Sequence, residues 1–474
     1  MKEQVIGSAH AASTGETGGS KRILGKWDLI FYGIVLNQPV AAVGLFGLVN
    51  LISGGHMVTT LLMSMVAMLL TAVSYGRMAA KYPTAGSAYK YVGKGLNPYL
   101  GFMAGWAMTL CYLIIPIINA VFGVLSFQRL FPGTPYWLGV IVFICLVSFL
   151  NLLGVRSSMN ANKVMLYVML IIIGSFIVLA VRYILNDSGV SGLITTEPFF
   201  NPETFKFGTL AAGTSLVALT YVGFDGITTL AEDVKNPKKN ILVAIITVCL
   251  FTGLFSGLQM YLAQGTAQSM WLEGGIGSHL PFYERIPKEN IETAFFTVCK
   301  QVGGQLLFNA MTITMLIACV ASGLAGQLGA AKLLYGMGKD NVLPRKFFGY
   351  QNTSRNSPVN NILLIGGLSI IGALALNYQK TAELINFAAL IAFMGVNLAA
   401  IGQFYFKSPV VQRNLFTDLI VPAGGFLFCL WIWLSLPITP MIIGGIWLIC
   451  GAFYLAVSTK GFRIKPVMLD FKDV

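Results

Sequence analysis

Residues 221–232 read YVGFDGITTLAE and set a carboxylate, Asp225, between Gly223 and Gly226 at the end of a charge-free apolar run. A carboxylate at bilayer depth costs from about 3 kcal/mol upward unless it is protonated, paired or facing a water-filled cavity. Glycine on either side lets a helix unwind there. Three roles follow for Asp225: a protonation switch, a counter-ion for a substrate amine, or an N-cap of a half-helix beginning at Gly226. As a cap it would accept from the amides of Thr228 or Thr229.

A second interruption lies at Asn37, Gln38 and Pro39, before Gly44 and Gly47. The half-helix that restarts near Val40 to Gly44 offers amides and a positive dipole end to an anionic group. The carbonyls of Tyr221 to Gly223 end the opposed half-helix and suit an ammonium. Asn37 and Gln38 either satisfy the backbone groups freed by Pro39 or touch substrate. Phe224 reads as an aromatic lid or as packing.

Other polar residues in apolar runs also carry two readings. Ser322 can coordinate a cation with helix-1 carbonyls, or mark a small-residue packing face. Asn386 and Asn397 read first as interhelical hydrogen bonds and second as site residues, Asn386 as a substrate contact. Glu232 and Asp233 form interfacial salt bridges with Lys235, Lys238 and Lys239, or close an inner gate on Arg77 or Lys81. An enzyme would need a convergent nucleophile, base or metal set. His10, His56 and His279 fall outside the expected membrane helices, and the seven cysteines are scattered singly without paired spacing, so neither a metal site, a cofactor nor a disulfide framework is expected.

The elements that must position these residues are membrane helices. The chain has 474 residues, 56% hydrophobic and only 10% charged, against about 25% charged in soluble domains. Charge-free runs at 29–76, 95–128, 130–155, 164–181, 207–224, 240–272, 301–331, 356–379, 384–406 and 419–459 are each long enough to span. The first should split at Ser53-Gly54-Gly55-His56 and the last near Pro437 and Pro440, giving twelve transmembrane helices in an all-α integral membrane protein.

The net charge of +13 does not indicate nucleic acid, because most of the 31 Lys and Arg fall in alternate loops. Only Arg129, Arg182, Lys206, Arg285, Lys288, Lys300 and Lys380 lie on the other side, the bias expected when both termini face the cytoplasm of a bacterial-type inner membrane. Residues 1–20 lack the apolar core of a cleavable signal and read as disordered. Between helices 2 and 3, Tyr82, Tyr89 and Tyr91 alternate with Pro83, Gly86, Gly93 and Pro98, which fits a short interfacial helix. The external segment 265–300 carries Trp271 and four Glu without a catalytic pattern.

Helices 1 and 6 are five apart, so they enter from opposite faces. Two interrupted helices at matching positions of inverted halves point to a transport site near the midplane. A receptor needs no such pair, and a channel would present repeated pore-lining charges or a filter motif.

Three segments together carry a family resemblance: KYPTAGSAYKYVGKGLNPYLGFMAGW after helix 2, GFDGITTLAEDVKNPKKNI across helix 6, and AAKLLYGMGKDNVLPRKF after helix 8. The chain resembles the amino acid–polyamine–organocation permeases over nearly its whole length. The resemblance implies a LeuT-type 5+5 inverted repeat with discontinuous helices 1 and 6 and substrate held between helices 1, 3, 6, 8 and 10. It also implies secondary active transport of amino acids or amines, by proton symport or by exchange, with sodium as the alternative coupling ion.

Helix 1 departs from the family's small Gly-Ser/Thr-Gly run: NQPVAAVG is bulkier and lacks one N–H at Pro39. With GFDGITTL and LINFAALIAFMGVN, it looks more like the putrescine-importer branch. The lysine that some members carry in helix 5 is replaced by Met169, which leaves Asp225 as the obvious intramembrane protonatable group. The expected organisation is a cytoplasmic tail over 1–25, a first five-helix repeat over 26–185, a second over 206–406, helices 11 and 12 over 415–458 and a tail over 459–474.

Overall fold

The computed structural model describes residues 24–83, 87–153, 159–270, 281–339, 344–351 and 357–463. The expected tails before residue 24 and after residue 463, together with His10, Gly86, Trp271 and His279, lie outside them. In chain order the helices are α1 (Lys26–Asn37), α2 (Phe46–Ser53), α3 (Met57–Lys81), α4 (Ser87–Gly95), α5 (Pro98–Leu130), α6 (Tyr136–Leu152), α7 (Met159–Leu193) and α8 (Phe207–Val217). They continue with α9 (Pro237–Met270), α10 (Phe282–Arg285), α11 (Ala294–Lys339), α12 (Arg345–Phe348), α13 (Val359–Ala375), α14 (Tyr378–Ala400), α15 (Val421–Leu434) and α16 (Ile438–Ser458).

Among the described residues nine helical stretches are long and apolar enough to cross a membrane, and Val43–Ser53, Tyr136–Leu152 and Val359–Ala375 are shorter apolar helices. Helix is the only open-chain solution in lipid, because every backbone N–H and C=O must find its partner within the segment. The first apolar run turns at Gly54, left-handed at φ 67°, and at Gly55, φ 87°. The last turns between Leu434 and Ile438 with Pro437 as the cap. Both turns fall where the sequence breaks its apolar pattern. The short helix expected after helix 2 is α4.

Several helices overrun the charge-free stretches, two of them across a glycine kink. α11 absorbs residues before 301 across a kink at Gly304, φ 62°, and α7 continues to Leu193 across Gly189, φ 67°. A left-handed glycine lets the axis bend without ending the helix.

Burial grades outward from α14 and α5, the most enclosed spans, to α16, the least. Ile446, Ile449, Phe453 and Val457 on α16, with Ile171 and Val178 on α7, form an exposed apolar jacket suited to lipid tails. α3 packs along α9, and α5 along both α11 and α14. α16 is fastened to α5 by Trp106 and Trp447, whose rings stack at 4.9 Å. Each indole N–H donates to the other's carbonyl, at 2.8 and 2.9 Å.

Polar side chains tie the interior where hydrophobicity cannot discriminate between helices and lipid. Asn151 Nδ2 on α6 donates to Gln327 Oε1 on α11 at 2.8 Å, and Gln327 Nε2 donates to Ser148 Oγ at 2.7 Å. Gly366 of α13 abuts this cluster: a Cβ there would lie 2.8 Å from Ser148 Oγ, whereas one on the adjacent Gly367 would meet nothing within 4 Å. Gly366→Val should therefore destabilise the protein by about 1–3 kcal/mol, the usual cost of overpacking, and Gly367→Val should not. Melting temperatures of the two variants in detergent check this.

Candidate functional site

The two breaks meet face to face. α1 ends at Asn37, and Gln38 follows at φ 51°, a left-handed value that a non-glycine residue seldom adopts. The chain then makes consecutive tight turns before α2. Ala41, Val43 and Leu45 donate their amides to the carbonyls of Gln38, Val40 and Ala42. In helix 6, α8 tightens into a 3-10 turn over Ala218–Tyr221, opens at Val222, turns at Gly223, φ 132°, and continues as a 3-10 helix over Phe224–Leu230.

Between the breaks lies a cavity of about 320 Å³, at the small end of the roughly 300–1,000 Å³ usual for ligand sites. Asn37, Gln38, Gly223, Asp225, Gly226 and Ser322 line it, joined by Tyr32, Tyr112, Asn119, Thr229 and Tyr378. No Lys, Arg or His is among the described residues lining it.

Asp225 is 5% exposed. Its carboxylate is held by backbone amides at Gly223, Asp225 and Gly226 rather than by those of Thr228 or Thr229. Gly223 holds the cap position, without a side-chain hydrogen bond, and Asp225 lies inside the first turn. The threonine hydroxyls serve backbone instead: Thr228 Oγ1 donates to the Asp225 carbonyl at 2.7 Å and Thr229 Oγ1 to Gly226 at 2.6 Å. The Asp225 carboxylate thus belongs to the cavity wall.

Around it, side-chain amides brace the breaks. Asn37 Nδ2 donates to Thr252 Oγ1 on α9 at 3.1 Å, and Gln38 Nε2 to the Ala318 carbonyl on α11 at 3.3 Å. Asn119 Nδ2 donates to Ser322 Oγ at 3.0 Å and to the Ile115 carbonyl at 2.8 Å. Pro116, inside α5, cannot supply the amide that the Tyr112 carbonyl would otherwise receive. Toward the α2 side the cavity meets an aromatic pair, Phe122 and Tyr378, with centroids 4.8 Å apart. Gly44 seats that pair: a Cβ there would lie 2.8 Å from both rings' atoms.

Several residues expected at the site stand elsewhere. Val40 is fully buried in packing and does not line the cavity, nor does Gly44. Tyr221 turns away, donating its hydroxyl to the Leu61 carbonyl at 2.8 Å. Phe224 packs between Tyr75 and Phe393, at 5.5 and 5.0 Å, rather than forming a lid. Asn386 points at α8, where its Nδ2 donates to the Ser215 and Leu216 carbonyls at 2.7 and 3.0 Å; its neighbour Ile385 faces the cavity.

The expected gate residues are also rearranged. Arg77 pairs with Asp418, donates to the Thr417 carbonyl and lies 4.2 Å over the Phe404 ring. Glu232 and Asp233 belong to the exit of helix 6. There the Leu24 amide donates to the Asp233 carbonyl at 3.0 Å and the Lys235 amide to the Leu24 carbonyl at 2.9 Å, which links the chain ahead of α1 to that exit. Tyr112, Asn119 and Tyr378 had escaped sequence reading. Pro116, a proline within an apolar run, lies beside Tyr112 and Asn119 on α5, while Tyr378 opens α14.

Comparison with known proteins fits this geometry. The amino acid permease family model matches residues 40–460. The chain is 32% identical over 455 residues to the low-affinity putrescine importer PlaP of Escherichia coli K12, covering 94% of this chain and 95% of that protein. It is 26% identical to the methylthioribose transporter of Bacillus subtilis, covering 93% and 94%. With the branched-chain amino acid permease BcaP of Bacillus subtilis it shares 23% identity, covering 98% and 99%. The chain thus belongs to the amino acid permease family and is a transporter rather than an enzyme.

Proposed function

We propose that this transporter carries small cationic amines without a carboxylate, putrescine foremost, by proton-coupled alternating access. The observation that carries the reading is Asp225: a buried carboxylate on the wall of a cavity whose described lining holds no cation. A desolvated carboxylate is stabilised by an ammonium far more than by neutral ligands. The break in helix 1 is also a reduced site for an α-carboxylate, because Pro39 has no N–H and the amides of Ala41, Val43 and Leu45 are taken by its own turns. The similarity to the putrescine importer points the same way. A proton on Asp225 would compete with the amine, so release of one can accompany binding of the other.

The architecture proposed is twelve spans in a 5+5 inverted repeat, with α1–α2 counted as one broken helix, both termini cytoplasmic and the cytoplasmic membrane as the location. Pairing α1, α3, α5, α6 and α7 in order with α8, α9, α11, α13 and α14 supports it. Under that pairing α1 against α9 matches α8 against α3, α5 against α14 matches α11 against α7, and α5 against α6 matches α11 against α13. Each of these contacts is present. On this reading the first repeat occupies 26–185, the second 206–406, and α15 and α16 stand outside both.

In proteoliposomes, labelled putrescine should show trans-stimulated, saturable exchange, and accumulation driven by an acid interior should be abolished by a protonophore. Flux without saturation or trans-stimulation would count against a carrier. Asp225→Asn should lower amine affinity about 10–100-fold, the range for losing a charge-assisted hydrogen bond of roughly 1.5–3 kcal/mol. Wild-type affinity should fall as the medium is acidified, since only the ionised carboxylate pairs with ammonium. The variant's residual binding should be flat with pH, and a variant that keeps the wild-type profile would remove Asp225 from the mechanism.

A further inference from the structure

Ser53-Gly54-Gly55-His56 turns the chain from α2 into α3, away from the central cavity. The loop ahead of α8 is stitched onto this turn. Thr204 Oγ1 donates to the Gly54 carbonyl at 2.9 Å, and Thr59 Oγ1, in the first turn of α3, donates to the Phe199 carbonyl at 2.6 Å. A Cβ on Gly54 would lie 3.2 Å from the Thr204 carbonyl oxygen, so the two backbones run in close contact. On the membrane orientation proposed above, this corner faces outside, where the outer half-helices α2 and α8 have their free ends.

His56 closes the corner. It is 0% exposed, stands at the cap position of α3, and meets Phe205 edge-on with ring centroids 5.5 Å apart. Nδ1 lies 2.8 Å from the Ser53 carbonyl oxygen, and Nε2 lies 3.0 Å from the Asn201 backbone nitrogen. Neither partner can exchange its role, since a carbonyl only accepts and a backbone amide only donates. Nδ1 therefore carries the hydrogen and Nε2 keeps its lone pair, which makes the ring neutral and fixes one tautomer. A second proton can go only to Nε2, where the new N–H would point at the Asn201 N–H. The bond is then lost and donor faces donor.

Charged and titratable groups do surround the corner. Glu197, Glu203, Tyr283 and Arg285 line a pocket beside Gly54 and Gly55, Lys206 precedes α8, and Tyr261 of α9 stacks on Phe199. None of them bonds either ring nitrogen, because both partners of His56 are backbone groups. α2, α8 and the first two turns of α3 carry no titratable side chain. We infer that His56 is an acid-released latch: neutral, it fastens the α2–α3 turn to the loop ahead of α8, and a proton arriving from outside frees that loop. The outer half-helices of helix 1 and helix 6 are tied at their external ends only while the ring is uncharged. Sidedness rests on the orientation proposed above; the latch itself does not.

Every backbone N–H from Phe199 to Phe205 is a donor here, so the segment has protection from hydrogen exchange to lose. The test is exchange read by mass spectrometry on the full-length protein in lipid nanodiscs, at about pH 8 and about pH 5, the ends of the range in which histidine titrates. With exchange times scaled for the intrinsic rate, 199–205 should lose protection about tenfold or more in acid, since linkage to one proton shifts an equilibrium about tenfold per pH unit. Peptides from α5 should not respond. His56→Gln offers the Asn201 amide an oxygen that does not titrate, and should hold protection within about twofold over the same range. His56→Phe keeps a ring without an acceptor and should exchange at both pH values as the wild type does in acid. Asp225→Asn should leave the acid response in place. Wild-type protection that ignores pH, a loss shared equally by α5, or an acid response that persists in His56→Gln overturns the latch. Should neither His56 variant fold, the wild-type contrast between 199–205 and α5 decides alone. No substrate enters this measurement, so a protein that takes up no amine overturns the reading of Asp225 and leaves the latch standing.

Discussion

Everything at the centre of this protein follows from breaking two helices where no water can complete the backbone's hydrogen bonds. Each unmet polar group in hydrocarbon costs several kcal/mol, so the broken segments must be satisfied by turns and side chains. The chain does this locally first: the turns after Gln38 consume alternate amides, and Thr228 and Thr229 return their hydroxyls to carbonyls one turn back. Neighbouring helices supply the rest. Gln259, Gln38 and Asn386 each donate to a carbonyl at or opposite a break.

Side-chain amides thereby become the joinery of the fold. Gln327 joins α11 to α6 and α13, and Asn397 on α14 donates to Thr71 on α3 at 3.0 Å. The contrast with Asn37 is one of surroundings. Asn386 and Asn397 join helices away from the cavity, whereas Asn37 ties the helix-1 break to α9 at the cavity's edge. Asp225 differs from all of them in being charged, which is why the cavity wall tolerates it only with a cation, a proton or water at hand.

The spans and both breaks were legible because they depend on composition: charge-free runs measure the bilayer, and Pro39, Gly223 and Gly226 mark where a helix cannot continue. Orientation around each helix was not. One residue turns a helix by 100°, so Ile385 faces the cavity while Asn386 faces α8, and Phe224 packs on Tyr75 while Asp225 meets the cavity. Tyr112, Asn119 and Tyr378 lie in spans whose apolar pattern runs all round, so no periodic signal picked out their face. Arg77 found Asp418, 341 positions away, a pairing that local charge patterns near Glu232 and Asp233 could not indicate.

The proposed preference for an amine over an amino acid rests on counting what each would leave unsatisfied. An amine brings donors to a site with a carboxylate. An amino acid brings the same ammonium together with a second anion, which must be desolvated beside Asp225. In the helix-1 break Pro39 has no N–H, and the amides of Ala41, Val43 and Leu45 are already bonded to Gln38, Val40 and Ala42, which leaves fewer donors for it. Losing the partner of a buried polar group costs about 1–3 kcal/mol and more for a charged one, whereas an added methylene in a pocket contributes only about 1 kcal/mol. Hydrophobic contact with the remainder of an amino acid cannot offset a stranded carboxylate, so on the proposed reading the polarity of the two breaks, rather than the size of the cavity, sets the choice of substrate.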